Sequence, residues 1–232
     1  EIVMTCLTLT PDVAAEAIEK GVGLVVTHHP VLFRGAKQIT DASSEGRMLL
    51  DLIENEVAVY SPHTSFDSAD LGINQQLAEL FGLTEIIPLR PLADDKQIDG
   101  VAEQGSGRVG QLAAPTELNA FLAVVRTAVA AEYVEFSGNT AATVQHVAVA
   151  CGSAAEFLDD AIRLGCDTFV TGEARFHSAL RARGENVNLV LLGHYSSERP
   201  AVEHLAQILE LEFPQTTVFA SATETDPLAV FH

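Results

Sequence analysis

The sequence predicts an α/β fold built from two similar halves, and three observations predict it. Short apolar runs alternate with helical patterns, one strand–helix–glycine–strand pattern occurs twice, and histidines and acids collect just beyond the ends of the apolar runs. Alternation of this kind belongs to layered α/β folds, where helices cover the faces of a sheet. In such sheets the loops at the carboxyl ends of the strands build the functional site.

The elements follow in order. Ile2–Leu7 is an apolar run short enough for a buried strand. Thr10 stands before Pro11, a capping residue followed by the residue best tolerated in a first helical turn, so a helix is expected over Pro11–Lys20. Gly23–Val26 and Val57–Tyr60 read as further strands, and Leu71–Leu80 as an amphipathic helix. Leu89–Gly110, with Pro91, Asp94-Asp95 and four glycines and with Pro88 just before it, is the loosest stretch and the natural junction between halves. Beyond it come strands at Val147–Ala150, Thr168–Val170 and Leu189–Leu192, with helices over Ser153–Leu164 and Arg199–Leu211.

The chain repeats itself. Ala17-Ile18-x-x-Gly21 falls on Ala161-Ile162-x-x-Gly165, Val26-Thr27 on Val170-Thr171, and Val3–Leu7 on Val147–Cys151, all at a spacing of 144 without a gap. At a spacing of 131, His63 falls on His194 and Asp67 on Glu198, each pair after a strand and before a helix. This pattern predicts an ancient duplication, with halves at residues 1–95 and 96–232.

Within the junction, Gly105-x-Gly107-x-x-Gly110 has the spacing of a dinucleotide fingerprint, but Gln111–Ala114 and Pro115 follow it and no helix opens on the glycines. A turn leading into a tight strand is expected there instead.

The charge balance, 13 basic against 32 acidic residues for a formal net of −19, with only three lysines, disfavours general binding of nucleic acid or anionic lipid. No apolar run is long enough to span a bilayer and no basic-then-apolar leader opens the chain. The chain begins directly on a strand without an initiator Met, so a preceding natural N-terminal segment is expected. Cys6, Cys151 and Cys166 lack C-x-x-C spacing and sit beside apolar runs, as buried thiols in a reducing cytoplasm would.

The chemistry gathers at strand ends. His28-His29-Pro30 follows one strand, His63 another and His194 a third. Adjacent histidines point to two sides of the chain and so can reach two ions, while Pro30 stiffens the exit. Asp67 and Glu198 each stand four residues after a histidine, a spacing that shares one helix face. Imidazole and carboxylate donors suit zinc, iron(II), manganese or magnesium, and a bridging carboxylate such as Glu198 would give a two-metal site.

A lone histidine is more often a satisfied polar residue than a ligand, which is how His146, His204 and His232 are read. His177 reads as a helix-face residue slightly more readily than as support for the site. It follows Thr171-Gly172-Glu173, where Glu173 takes the place of His29 in the second half. His63 is open between ligand, proton carrier and hydrogen-bonding support. Ser196 and Ser197 lack a Gly-x-Ser-x-Gly elbow and are expected to cap the following helix.

Together Thr27-His28-His29-Pro30-Val31-Leu32-Phe33, His63-Thr64-Ser65-Phe66-Asp67 with Gly72-Ile73-Asn74, and Gly193-His194-Tyr195-Ser196-Ser197-Glu198 resemble the Nif-three-like family. Its members carry labels such as GTP cyclohydrolase I type 2 homologue and dinuclear metal centre hexameric protein. The Gly105–Gly110 turn, Thr171-Gly172-Glu173 and Asp226-Pro227 also look like family features. The resemblance implies one divalent ion on His28, Asp67 and Glu198, a second on His29, His194 and Glu198, and His63 close by. It also implies a homohexamer with metal sites facing an inner cavity. The family's N-terminal Trp-Asp-Asn-x-Gly-Leu segment and the inserted domain of longer members are absent from this sequence. The glycine-rich turn of the second half is reduced to Cys151-Gly152-Ser153-Ala154-Ala155.

Two functions compete on these grounds. One is a metal-dependent hydrolase acting on a nucleotide-like or phosphorylated small molecule, with His63 moving a proton. The other is a non-catalytic metal-binding regulatory or scaffold protein, whose ligands would look the same. A weaker third treats the histidines as stabilising residues only.

Overall fold

The computed structural model describes residues 1–92 and 104–231. The expected half boundary at 95/96, Asp94-Asp95 and Gly100 lie outside the described residues. The chain forms two compact units, Glu1–His63 with Arg199–Phe231, and Thr64–Glu198. These units are not the two sequence repeats, because the C-terminal segment of the second repeat returns to the first unit.

The first unit holds β1 (Ile2–Cys6), α1 (Pro11–Glu19), β2 (Leu24–Thr27), α2 (Ser44–Glu54), β3 (Ala58–Tyr60), α9 (Pro200–Glu212) and β10 (Thr217–Ala220). Its sheet runs β10-β1-β2-β3, parallel throughout, as crossover helices require. Thr10 caps α1 as expected, its hydroxyl accepting the Val13 N–H. Helix α1 turns Val13, Ala14 and Ala17 onto Met4 and Val25 of the sheet, all buried. Helix α2 has no counterpart among the predicted elements. Ser43 caps it through the Gly46 N–H, and only Gly46, Met48 and Leu52 are buried. That narrow stripe is a weak periodic signal.

The second unit holds α3 (Thr64–Ser68), α4 (Ile73–Leu80), β4 (Leu83–Pro91), β5 (Gly105–Glu117), α5 (Leu118–Ala128), β6 (Glu135–Ser137), β7 (Thr143–Ala150), α6 (Leu158–Arg163), β8 (Thr168–Thr171), α7 (Phe176–Gly184), β9 (Asn188–Leu191) and α8 (His194–Glu198). The mixed sheet runs β4-β5-β7-β8-β9-β6, with β7, β8 and β9 parallel and the outer pairs antiparallel. The helix expected over Ser153–Leu164 opens with a 3-10 turn at Ala155–Phe157. The strand expected beside the glycines is β5, but it contains Gly105, Gly107 and Gly110 themselves, so no separate turn precedes it there. Pro115 falls between Gln111 and Thr116, where the register against β7 shifts. A residue without an N–H is tolerated at such a break.

The repeat is visible in the hydrogen-bond register. Val3 pairs with Leu24 in the first sheet and Val147 with Thr168 in the second, both 144 residues on. Gly21 (φ 65°) and Gly165 (φ 72°) end the two crossover helices in the same left-handed conformation. The later spacing needs correction. Leu24 pairs with Ala58 and Thr168 with Asn188, so the third strands are related by 130 residues and His63 corresponds to Gly193, not to His194. The motif alignment slips by one residue because it matched residue types, whereas strand pairing fixes position.

Candidate metal centre

In the first unit β2 lies between β1 and β3 and delivers His28 and His29 at its carboxyl end. Their N–H groups donate to the carbonyls of Cys6 (2.9 Å) and Leu7 (2.8 Å), which extends the ladder past the strand and fixes both backbones. The His28 and His29 rings are 5.2 Å apart between centroids, and the His63 ring lies 5.3 Å from the first and 6.0 Å from the second. Thr8 Oγ1 hydrogen-bonds His29 Nδ1 at 2.7 Å, which sets the ring and directs Nε2 away. Glu224 in turn accepts from the Leu7 and Thr8 N–H groups and pairs with Arg199 at 3.1 Å. His63 has φ 44°, a left-handed backbone that costs a non-glycine residue about 1–2 kcal/mol. Such strain is held at a site only when its surroundings demand it.

In the second unit Gly193 (φ 84°) turns the chain into α8, which begins at His194. One turn later Glu198 comes to 3.1 Å from His194 Nε2. Here the expected sharing of a helix face holds, while His63 precedes α3 and lies outside that helix. On the far side of the imidazole, Nδ1 contacts Glu173 at 2.7 Å. The Glu198 carboxylate raises the His194 pKa to about 9, burial opposes it, and Glu173 adds to the rise.

Cys151 and Gly152 line the same place. The Cys151 N–H donates to Asn74 Oδ1 at 2.8 Å, its thiol donates to Asp67 Oδ1 at 3.3 Å, and Asn74 Nδ2 donates to the Asp67 carbonyl at 3.0 Å. Burial drives the Cys151 pKa well above its ordinary value, and the Asp67 and Glu198 carboxylates drive it further. Gly152 has φ 63°, and a Cβ there would run into Glu198 Oε1. The bare backbone makes room for the carboxylate.

The expected donors thus fall into two sets, His28, His29 and His63 in the first unit and Asp67, His194 and Glu198 in the second. Among the described residues, histidine and glutamate side chains include a group able to hold a metal ion. The donor chemistry fits a divalent cation: imidazoles fixed through one nitrogen, and a carboxylate seated where glycine leaves space.

The capping role expected of Ser197 is corrected. Its hydroxyl accepts the Gly152 N–H (3.0 Å) and donates to the His194 carbonyl (2.8 Å), while α9 begins without a side-chain cap. All three cysteines are buried and free, as expected. His177 is an exposed residue on α7 beside Phe176. The sequence reading missed Glu173, Asn74, Cys151 and Gly152 as parts of the site. A signal existed for Glu173, which occupies the repeat position of His29.

A family model described as Duf34/NIF3 (NGG1p interacting factor 3) matches residues 1–227. The chain belongs to this family. Its NIF3 relatives include a Streptomyces coelicolor protein named GTP cyclohydrolase 1 type 2 homolog, 33% identical over 91% of this chain and 75% of its own. A Schizosaccharomyces pombe relative named Protein NIF3 homolog is 31% identical over 97% of this chain and 83% of its own. The crystal structure of a Bacillus cereus protein related to NIF3 superposes with a TM-score of 0.89 at 21% identity, covering 100% of this chain and 89% of that one, and so shares the NIF3 fold. No helix among the described residues is long and apolar enough to cross a membrane.

Proposed function

We propose that this NIF3-family chain holds two divalent cations and uses them to hydrolyse a nucleotide-like or phosphorylated small molecule. The observation that carries the reading is the Glu173–His194–Glu198 series, in which one carboxylate orients an imidazole whose other nitrogen meets a second, buried carboxylate. Carboxylate–histidine pairs of this kind accompany metal-ligating histidines. In the proposed assignment His28, Asp67 and Glu198 hold one cation, and His29, His194 and Glu198 the other.

Divalent cations held there would polarise a substrate oxygen and activate water near neutral pH. The residues do the rest. Thr8 and Glu173 engage Nδ1 of His29 and His194 and so orient each ring with Nε2 on the far side. Gly152 leaves the Glu198 carboxylate its space. His63, beside His28 and His29, carries a proton to or from the leaving group. Names of relatives such as GTP cyclohydrolase 1 type 2 homolog support a nucleotide as substrate. Assembly as a homohexamer in the cytoplasm completes the proposal, with general nucleic-acid binding disfavoured by the charge of −19.

A second reading rests on the family description as an interacting factor, which favours a metal-binding scaffold for a partner protein. Anaerobic purification with metal analysis, then a metabolite screen on wild type and Glu198→Ala, separates the two. The hydrolase reading expects about two ions per chain and a turnover abolished by chelator and by the substitution. Two ions without turnover on any nucleotide or phosphoester, with partner capture that survives Glu198→Ala, would favour the scaffold. Protein that binds no divalent ion would end both.

A further inference from the structure

The glycine-rich Gly105–Gly110 segment has no place in the proposed chemistry, yet it surrounds Arg108, at 1% exposure the largest fully buried side chain among the described residues. A buried guanidinium is costly unless its donors are met. Here Nη1 donates to the carbonyls of Gly105 (2.7 Å) and Gly107 (2.8 Å), and Nε donates to Gln75 Oε1 on α4 (2.9 Å). Nη2 donates to the carbonyls of Ala69 (2.9 Å) and Ser68 (3.4 Å). Gly107 at φ 66° folds the strand so that its own carbonyl turns back to the guanidinium.

The two carbonyls on Nη2 belong to the residues directly after Asp67, at the end of α3. Helix α4, gripped through Gln75, also carries Asn74, which donates to the Asp67 carbonyl and accepts from Cys151.

We propose that Arg108 is a positioning residue for Asp67: it ties the α3–α4 turn to the glycine segment of β5 and so sets where the Asp67 carboxylate points. The inference rests on the proposed role of Asp67 as a ligand for its functional meaning. A cation is suited to the task because the last carbonyls of a helix carry partial negative charge. Arginine is required because its planar fork reaches acceptors on three segments at once, whereas a lysine ammonium is a single point with three donors.

The test uses Arg108→Lys in the full chain, read in two ways. In metal-free protein, the rate at which a maleimide labels each cysteine is followed by peptide mass spectrometry. Arg108→Lys is expected to raise labelling of Cys151, whose thiol rests on Asp67, by about tenfold, with Cys6 and Cys166 unchanged. Equal acceleration at all three thiols would mean general loosening and would overturn the proposal, as would no change at Cys151. Titration with cobalt(II) gives the second reading: about a tenfold loss of affinity, of the size seen for outer partners of ligands, absent in an Asp67→Ala background. An equal loss in that background would also overturn it. If wild type takes up no cobalt, the metal reading fails while the thiol experiment still decides the role of Arg108. Should Arg108→Lys not fold, Gln75→Ala removes one partner and is expected to give a smaller rise at Cys151 alone.

Discussion

His63 stands at φ 44° where Gly193, its counterpart 130 residues later, stands at φ 84°. Each directly precedes a five-residue helix, α3 or α8. The turn from strand to helix therefore demands a left-handed residue in both repeats, and glycine meets the demand without strain. An imidazole kept there against that cost points to a role in the site.

Replacing His63 by glycine is accordingly expected to be tolerated. Relief of about 1–2 kcal/mol of backbone strain is offset by about 0.5–1 kcal/mol of added freedom in the unfolded chain. Thermal unfolding should show a Tm unchanged or raised by a few degrees, while any turnover falls. A β-branched substitution, His63→Val, should lower the Tm. A large loss of stability in His63→Gly would show instead that the ring is a packing residue.

Gly152→Ala should fold and yet lose the site. The added methyl meets the flexible end of Glu198 rather than backbone, so the carboxylate moves. The residue's φ of 63° adds about 1–2 kcal/mol of strain. Metal content measured on a folded, monodisperse variant should fall; full occupancy would remove Glu198 from the ligand set.

Glu173→Ala removes the hydrogen bond that orients His194 from a half-exposed position, so stability should change by less than about 1 kcal/mol. Metal affinity should fall by about 10–100-fold, and Glu173→Gln should recover part of it because its amide oxygen still accepts from Nδ1. Unchanged affinity in Glu173→Ala would detach Glu173 from the site.

Acid stability should depend on Glu16. Burial pushes this carboxyl up, but hydrogen bonds from Lys20, Ser221, the Ala222 N–H and Thr223 outweigh it and hold the pKa at about 2 against an ordinary 4.5. Because the folded value is the lower one, the stabilisation is complete above pH 4.5 and is lost as the pH falls toward 2. Its size is about 3 kcal/mol at 1.36 kcal/mol per unit. Denaturant midpoints between pH 5 and 2 should fall in wild type and change less in Glu16→Gln.

The sequence by itself determined the α/β class, the first repeat spacing and the candidate ligands, because these are written in local terms. Thr10-Pro11 opens α1 by capping, short apolar runs mark strands that sheets bury, and His28-His29-Pro30 follows its strand directly. Only the tertiary structure decided the rest. That β10 joins β1, that His63 matches Gly193, that Glu173 meets His194 and that Arg108 reaches the Ala69 carbonyl all depend on contacts between separate segments. Periodicity reports which face of an element is buried, but not which element buries it, so partners across the chain become visible only when the strands pair.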